Sequence, residues 1–478
     1  MASPAAPDHE DPHPLTATSA PDPATPGLGL RLSLGLIVGI ATVPLGSTMV
    51  AIALPDIGRD LDASPEVLTH GLVTSYLAVS IVCQGPSGKL GDLFGHLRLF
   101  RLGHVVSALA AVLGTVGRDV VTLTVARCLA AVGGALLVPS AFALVRLTAP
   151  PERRGRSFGT LGAAMSLAAA SGPIVGSLLA RSIGWPALFA VNLPMVALSA
   201  LLVRAPTAPT ASRRAPRLDL VGTLLLVLAL GTGVVAVKLG AAHVATLPLA
   251  IVGVLGLAVF IFWERRVAEP VLDVRLFLRP PFAIAATVVA LHNLAMYTAL
   301  FQMPVFFTAV RGLRADQVGP ALLAMMLAMV VASPLGGRLS DRIGARVLVT
   351  SGSLIAAAGL GWLWRLDTVW LPMDAVPALL LAGFGLGIAN AGVQTTAMAA
   401  TEAHESGMAS GAMATFRYVG GVIGMAVLAS TLKLDPSGLD AHRSVLALCT
   451  SALVLGGLLF ALPAALPRAR ASGSDPRA

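Results

Sequence analysis

"GKLGDLFG" (Gly88–Gly95) and "GRLSDRIG" (Gly337–Gly344) lie far apart in the chain, yet both read G-[K/R]-L-x-D-x-x-G. Each octet closes a long apolar run and leads straight into another. Glycines at both ends suit a tight turn between packed helices. The aspartate suits a helix N-terminus, where exposed backbone N–H groups favour negative charge. Asp92 is therefore expected near the start of the helix that follows it, with Lys89 and Arg98 as nearby partners. An octet repeated in this setting divides the chain into two related halves.

The composition says what surrounds those halves. Of 478 residues, 56% are hydrophobic and only 12% charged, and the mean hydropathy is +0.82. Soluble domains carry about 25% charged residues, so most of this surface does not face water. About 20 apolar residues cross a bilayer as a helix. Fourteen such runs can be read, roughly 32–55, 67–86, 99–117, 120–145, 157–180, 186–203, 219–240, 244–263, 282–310, 318–337, 347–365, 374–397, 409–432 and 444–466. Arg and Lys concentrate in alternate loops, among them those of Lys89, Arg98 and Arg101, of Arg153, Arg154 and Arg156, of Arg213, Arg214 and Arg217, and of Arg338, Arg342 and Arg346. That bias places both termini in the cytoplasm. It also accounts for the net charge of +9 without any nucleic-acid partner. Nearly all basic residues are Arg, which with abundant Ala, Gly and Pro suggests a high-GC bacterial genome. Residues 1–30 read as a polar, disordered tail and not as a cleaved targeting segment. Cys83, Cys128 and Cys449 fall inside apolar runs without metal-like spacing, so no metal is expected. Two related membrane halves are the pattern of many transporter folds, with a substrate site between them near the midplane.

Three further stretches sharpen the reading. "RCLAAVGGALLVP" (Arg127–Pro139) puts Arg127 at helix depth, where a charge costs about 3 kcal/mol and turns to a cavity or partner. "GTLGAAMSLAAASGPIVGS" (Gly159–Ser177) combines small residues that permit close helix contact with a Gly-Pro bend. "GMASGAMATFRYVGGVIG" (Gly407–Gly424) places Arg417 in a glycine-rich helix. With "GWPALFAVNLP" (Gly184–Pro194) and "WERRVAEPVLDVRLF" (Trp263–Phe277), these stretches resemble the major facilitator superfamily, and within it the fourteen-helix drug:proton antiporter branch, the EmrB/QacA-like subfamily. The resemblance implies an all-α polytopic fold of fourteen transmembrane helices in a six-two-six arrangement. Its parts would be a cytoplasmic tail at 1–30, a six-helix bundle at 31–203, two linker helices at 204–281, a second bundle at 282–466 and a tail at 467–478. It implies a multi-pass protein of the bacterial inner membrane that exports lipophilic small molecules by alternating access and proton antiport. No cofactor and no obligatory protein partner are implied. Gly88, Lys89, Gly91, Asp92, Gly95 and Arg98, with Gly337, Arg338, Asp341 and Gly344, would form the conformational latch. Gly159, Gly172, Pro173 and Gly176 fit the antiporter motif, and Arg127 would take part in proton transfer.

The chain departs from that branch in its first helix. "PLGSTMVAIALP" (Pro44–Pro55) has Gly46 where the branch carries Asp, and Ala51 where it carries Asn. Ala130 and Ala131 likewise replace Gln-Gly after Arg127. A buried carboxylate has a raised pKa and can exchange protons near neutrality, so its loss bears on coupling. No other acid falls mid-run. His292, whose side-chain type titrates near neutral pH when unperturbed, and Asp56 and Asp60 at the mouth of the first helix remain as proton-coupling candidates. Asn390 and Gln394 share a helix face, as do Asn293 and Tyr297, with Phe301 and Gln302 beyond. Together with Arg417 they are the expected substrate cavity, suited to neutral or anionic compounds. A proton-independent uniporter or importer on the same fold is the alternative. An enzyme is not expected: paired intramembrane acids, a His-x-x-His cluster and a nucleotide-binding loop are all missing from the sequence.

Overall fold

The computed structural model describes residues 29–203, 219–239, 244–268, 270–313, 315–432 and 438–465. The tails expected at 1–30 and 467–478 and the basic loop 204–218 fall almost wholly outside them. Sixteen α-helices carry the described chain, which contains no strand. The first group is α1 (Leu30–Leu61), α2 (Pro65–Leu68), α3 (Ser75–Phe94), α4 (His96–Val116), α5 (Val120–Thr148), α6 (Arg154–Ser182), α7 (Ala187–Ala190) and α8 (Asn192–Leu202). Two helices follow, α9 (Leu220–Leu239) and α10 (Thr246–Glu264). The last group is α11 (Pro280–Arg311), α12 (Ala315–Ile343), α13 (Ala345–Trp362), α14 (Val376–Ala399), α15 (Ser406–Leu432) and α16 (Leu439–Ala461).

Local chemistry sets the boundaries. Asp119 caps α5: its carboxylate accepts from the Thr122 N–H at 2.8 Å and the Thr122 hydroxyl at 2.6 Å. Those two bonds hold the Asp119 carboxyl below the usual carboxylate range. The repeated octets end at Gly95 (φ 93°) and Gly344 (φ 88°), a left-handed backbone that favours glycine and turns the chain sharply into α4 and α13. Between α2 and α3 lies a π-turn, Thr69–Thr74, which shifts the backbone register inside the run expected at 67–86. α6 bends by 41° where Gly172 meets Ile174, at the expected Gly-Pro bend.

Among the described residues ten helices are long and apolar enough to cross a membrane, or eleven if the bent α6 counts as one span. Fourteen spans thus exceed what length and apolarity alone select, because the stretches at 187–202 and 220–233 are shorter apolar helices and the run expected at 67–86, divided among α2, a π-turn and α3, is not selected.

Two lobes follow from the packing. α1, α4, α5, α6 and α8 pack on one another, as do α11 to α16, while α9 and α10 pair, with α9 against α3 and α15. The side bearing the two octets is called here the motif side. A single hydrophobic core joins the lobes there: Phe142, Val145 and Phe158 of the first pack with Phe282, Val393, Met398, Met408 and Met413 of the second. On the opposite side the core splits in two. One part, with Met49, Ile57, Leu72 and Leu123, belongs to the first lobe. The other, with Met303, Phe306, Met325 and Leu360, belongs to the second lobe except for Ala170. The lobes are therefore closed against each other on the motif side.

Glycine makes that closure possible. A Cβ on Gly88 would lie 2.0 Å from the Gly407 carbonyl oxygen, and one on Gly337 would lie 2.4 Å from the Gly155 carbonyl oxygen. Both obstacles are backbone of the other lobe and cannot swing aside. Overpacking of this kind costs about 1–3 kcal/mol, comparable to the gap between two conformers of a switching protein. Gly88→Val is accordingly expected to keep the melting temperature of the fold within a few degrees while opening the motif side. Cysteine-accessibility labelling at position 390 from that side should then rise several-fold over the parent.

Candidate functional site

The motif-side closure is held by carboxylates that reach across the lobes. Asp92, in the last turn of α3, accepts from the N–H groups of Gly407 and Met408 at the start of α15, both at 2.8 Å. Asp341, in the last turn of α12, accepts from the N–H groups of Gly155 and Arg156 at the start of α6, at 3.0 and 3.1 Å. The first N–H groups of a helix have no intrahelical acceptor, so each octet supplies the cap for a helix of the other lobe. The expectation of a helix N-terminus is met in kind and corrected in place: the helix is not the one that follows in sequence. Lys89, Arg98 and Arg338 do not join these clasps; the partner beside Asp92 is His96, whose Nε2 is 3.2 Å away. Arg146 adds a third cross-lobe contact, donating to the carbonyls of Met398 and Thr401 at 2.9 and 3.4 Å.

The glycines of the Gly159–Ser177 stretch divide between two jobs. Gly159 faces the backbone of Ser333 across the lobe boundary, where a Cβ would come within 2.4 Å of its carbonyl oxygen. Gly172 and Gly176 face Thr48 and Met49 of α1 and let α1 and α6 touch. Pro173 lies in the helical backbone between them, and its side chain is outside the described residues.

Between the lobes lies a cavity of about 200 Å³, lined from both sides. Of the residues expected there, Asn293, Tyr297, Phe301, Asn390, Gln394 and Arg417 all border it, and so does His292. Gln302 does not. It is buried and donates to the His442 carbonyl at 2.7 Å, tying α11 to α16. His292 bonds Ser353 Oγ through Nε2 at 2.8 Å, and the Asn293 amide donates to the Val289 carbonyl at 2.8 Å. Arg417 points toward the Phe142 ring, 6.0 Å from its centroid, and its Nε has no hydrogen-bond partner among the described residues. No Asp or Glu borders this cavity among the described residues. Asp56 and Asp60 are elsewhere, the first paired with Arg59 and the second accepting from Trp185 Nε1 at 2.8 Å.

Tyr76 and Tyr418 were not read from sequence. The chain has only three tyrosines, and all three border this cavity. That scarcity was the available signal: a hydroxyl-bearing ring inside an apolar run prefers the bundle interior. Methionines 165, 296, 326, 329, 413 and 425 supply adaptable apolar surface around them. The wall thus combines phenolic hydroxyls, neutral amides and one guanidinium without a carboxylate.

Arg127 and Gly46 share a second, smaller cavity of about 40 Å³ behind Tyr76. Arg127 is buried, donates from Nε to the Leu72 carbonyl inside the π-turn at 2.8 Å, and stacks over the Tyr76 ring at 4.0 Å. Gly46 is absent from the main cavity wall.

Comparison with known proteins agrees with this geometry. The sequence pattern of the Major Facilitator Superfamily matches residues 36–425. The chain belongs to that superfamily, and is a multi-pass membrane transporter, not an enzyme. It is 33% identical over 423 residues to the tetracenomycin C resistance and export protein of Streptomyces glaucescens, covering 84% of this chain and 77% of that one. It is 32% identical over 400 residues to the multidrug resistance protein Stp of Mycobacterium tuberculosis, covering 83% and 74%. Its fold is similar to the crystal structure of the human organic anion transporter MFSD10, with a TM-score of 0.68 at 15% identity, over 90% of this chain and 99% of that one.

Arg417 provides a direct check on the cavity. A charge-assisted bond to an anionic ligand is about twice as strong as a neutral one. Arg417→Gln should weaken equilibrium binding of an aromatic carboxylate at least tenfold, about 1.4 kcal/mol, and change binding of its methyl ester by less than about twofold.

Proposed function

We propose that the protein exports lipophilic aromatic compounds bearing an acidic group, such as a phenol or carboxylic acid, by alternating access. The observation that carries this reading is Arg417, a guanidinium in a tyrosine-lined cavity that no acid borders among the described residues. A lipophilic cation would find repulsion there, whereas an acidic aromatic would find a counter-charge and ring surface. Resistance and export functions in the names of the relatives support the outward direction. Read with the distribution of Arg and Lys, the motif side is cytoplasmic and the closed motif side corresponds to an outward-facing state. Both termini would then lie in the cytoplasm of a bacterial cell, at its inner membrane.

Within the same reading we take the lobes as six-helix bundles at 31–203 and 282–466, with 204–281 supplying two linker helices. Fourteen spans result when α2–α3, α7–α8 and α9 cross the membrane beside the longer helices. Their support is that each of these segments is helical and follows its neighbour in the alternating order. Protons are the proposed coupling ion. His292 is the proposed proton-exchanging group, because it is the histidine that borders the cavity and its ring is held by Ser353. The octets, Arg127 and the glycines of α6 are the moving parts of the cycle.

The test uses purified protein in proteoliposomes carrying an inward-acid pH gradient and an internal pH dye. Addition of an acidic aromatic compound should trigger proton efflux that protein-free vesicles lack, while a cationic dye of similar size should not. Efflux should fall at least tenfold in His292→Gln. Flux of the acidic compound without proton movement would replace antiport by uniport. Preference for the cation would overturn the substrate class.

A further inference from the structure

The small cavity behind Tyr76 holds a charge that the protein itself leaves unbalanced. Arg127 is 3% exposed. Its Nε is satisfied by the Leu72 carbonyl and one face of its guanidinium by the Tyr76 ring. Its two terminal nitrogens have no protein acceptor among the described residues, and no Asp or Glu borders the cavity they reach. Buried charges are normally paired, because an isolated one loses its hydration without recompense. Stacking on an aromatic ring recovers about 2 kcal/mol when desolvated, less than the several kcal/mol that burial of an ion costs.

The other groups around the cavity suit an anion. Ser107 brings a hydroxyl that can donate, while the Asn192 amide already donates to the Leu188 and Phe189 carbonyls at 3.2 and 3.4 Å. Gly46 forms the wall where any side chain would intrude; a Cβ there would meet only Asn192, at 3.6 Å. At about 40 Å³ the space has room for a small ion with a water, since a water takes about 10–15 Å³ on this measure. It is far below the several hundred Å³ of a drug-sized pocket, so an organic substrate does not fit.

We propose that Arg127 and Ser107 form a buried site for a small monovalent anion of the chloride type, serving as the counter-charge of Arg127. The site is distinct from the main cavity but touches it, because Val43 and Tyr76 line both. Occupation neutralises the guanidinium and fixes the Tyr76 ring from behind. Without the anion, α1, α5 and the π-turn would carry an uncompensated cation at their junction.

The test needs no transport substrate and is independent of the export reading. Protein purified in sodium gluconate is titrated with sodium chloride, then sodium bromide, at constant ionic strength, and the melting temperature is followed. The wild type should show a saturable rise of several degrees with either halide. Gly46→Asp places a carboxylate in the same cavity, and should melt higher in gluconate and lose most of the halide response. Arg127→Gln should lose the response altogether; should it fail to fold, Gly46→Asp still decides. No saturable halide response in the wild type, or a full response in Gly46→Asp, would overturn the proposal.

Discussion

A helix that begins at a packed seam must find acceptors for its first N–H groups, and here those acceptors come from the opposite lobe. Asp92 caps α15 and Asp341 caps α6, each with two hydrogen bonds at 2.8–3.1 Å. Hydrogen bonds to a charged group contribute about 1.5–3 kcal/mol, with the lower end fitting Asp341, which is exposed, and the upper end Asp92, whose side chain is 7% exposed. Two clasps of that size are comparable to the few kcal/mol that separate interconverting states. They are strong enough to favour closure and weak enough to release it.

The rest of the architecture follows from that seam. Glycines 88, 155, 159, 337 and 407 let the lobes meet backbone to backbone beside the clasps. Packing, not hydrophobic expulsion, drives helix association inside lipid, so these contacts decide which side is closed. The lobes share one core on the motif side and have two separate cores opposite, with the cavity between them. Arg417 and the tyrosines belong to that cavity, while Arg127 lies behind Tyr76. The two arginines therefore sit in different surroundings: one borders the cavity between the lobes, the other lies at a helix junction.

Much of this was legible in the sequence because it is local. The octets announce their turns through Gly95 and Gly344, and Asn390 with Gln394 in α14 and Asn293 with Tyr297 in α11, each pair four residues apart, fall on the cavity side as their spacing requires. What the sequence could not convey is which helix a side chain meets across the seam. Asp92 was assigned to its own neighbourhood because Lys89 and Arg98 are close in the chain, whereas its partners lie more than three hundred positions away. Gln302 follows the same helix as Tyr297 yet turns to α16, a difference of side that no periodicity of polar residues resolves in a helix buried all round. Gly46 was read as the position of a missing carboxylate that bears on coupling; the structure places it beside Arg127.

The central claim is that the two carboxylate clasps hold the motif side shut. Cysteines 83, 128 and 449 would be replaced, and nitroxide pairs introduced at Arg98 and Arg342 on the motif side and at Arg118 and Leu371 opposite. Distances would be measured in lipid nanodiscs by double electron–electron resonance, before and after the double change Asp92→Ala with Asp341→Ala. The account predicts that the double variant lengthens the Arg98–Arg342 distance and shortens the Arg118–Leu371 distance. Unchanged distributions on both sides would contradict it.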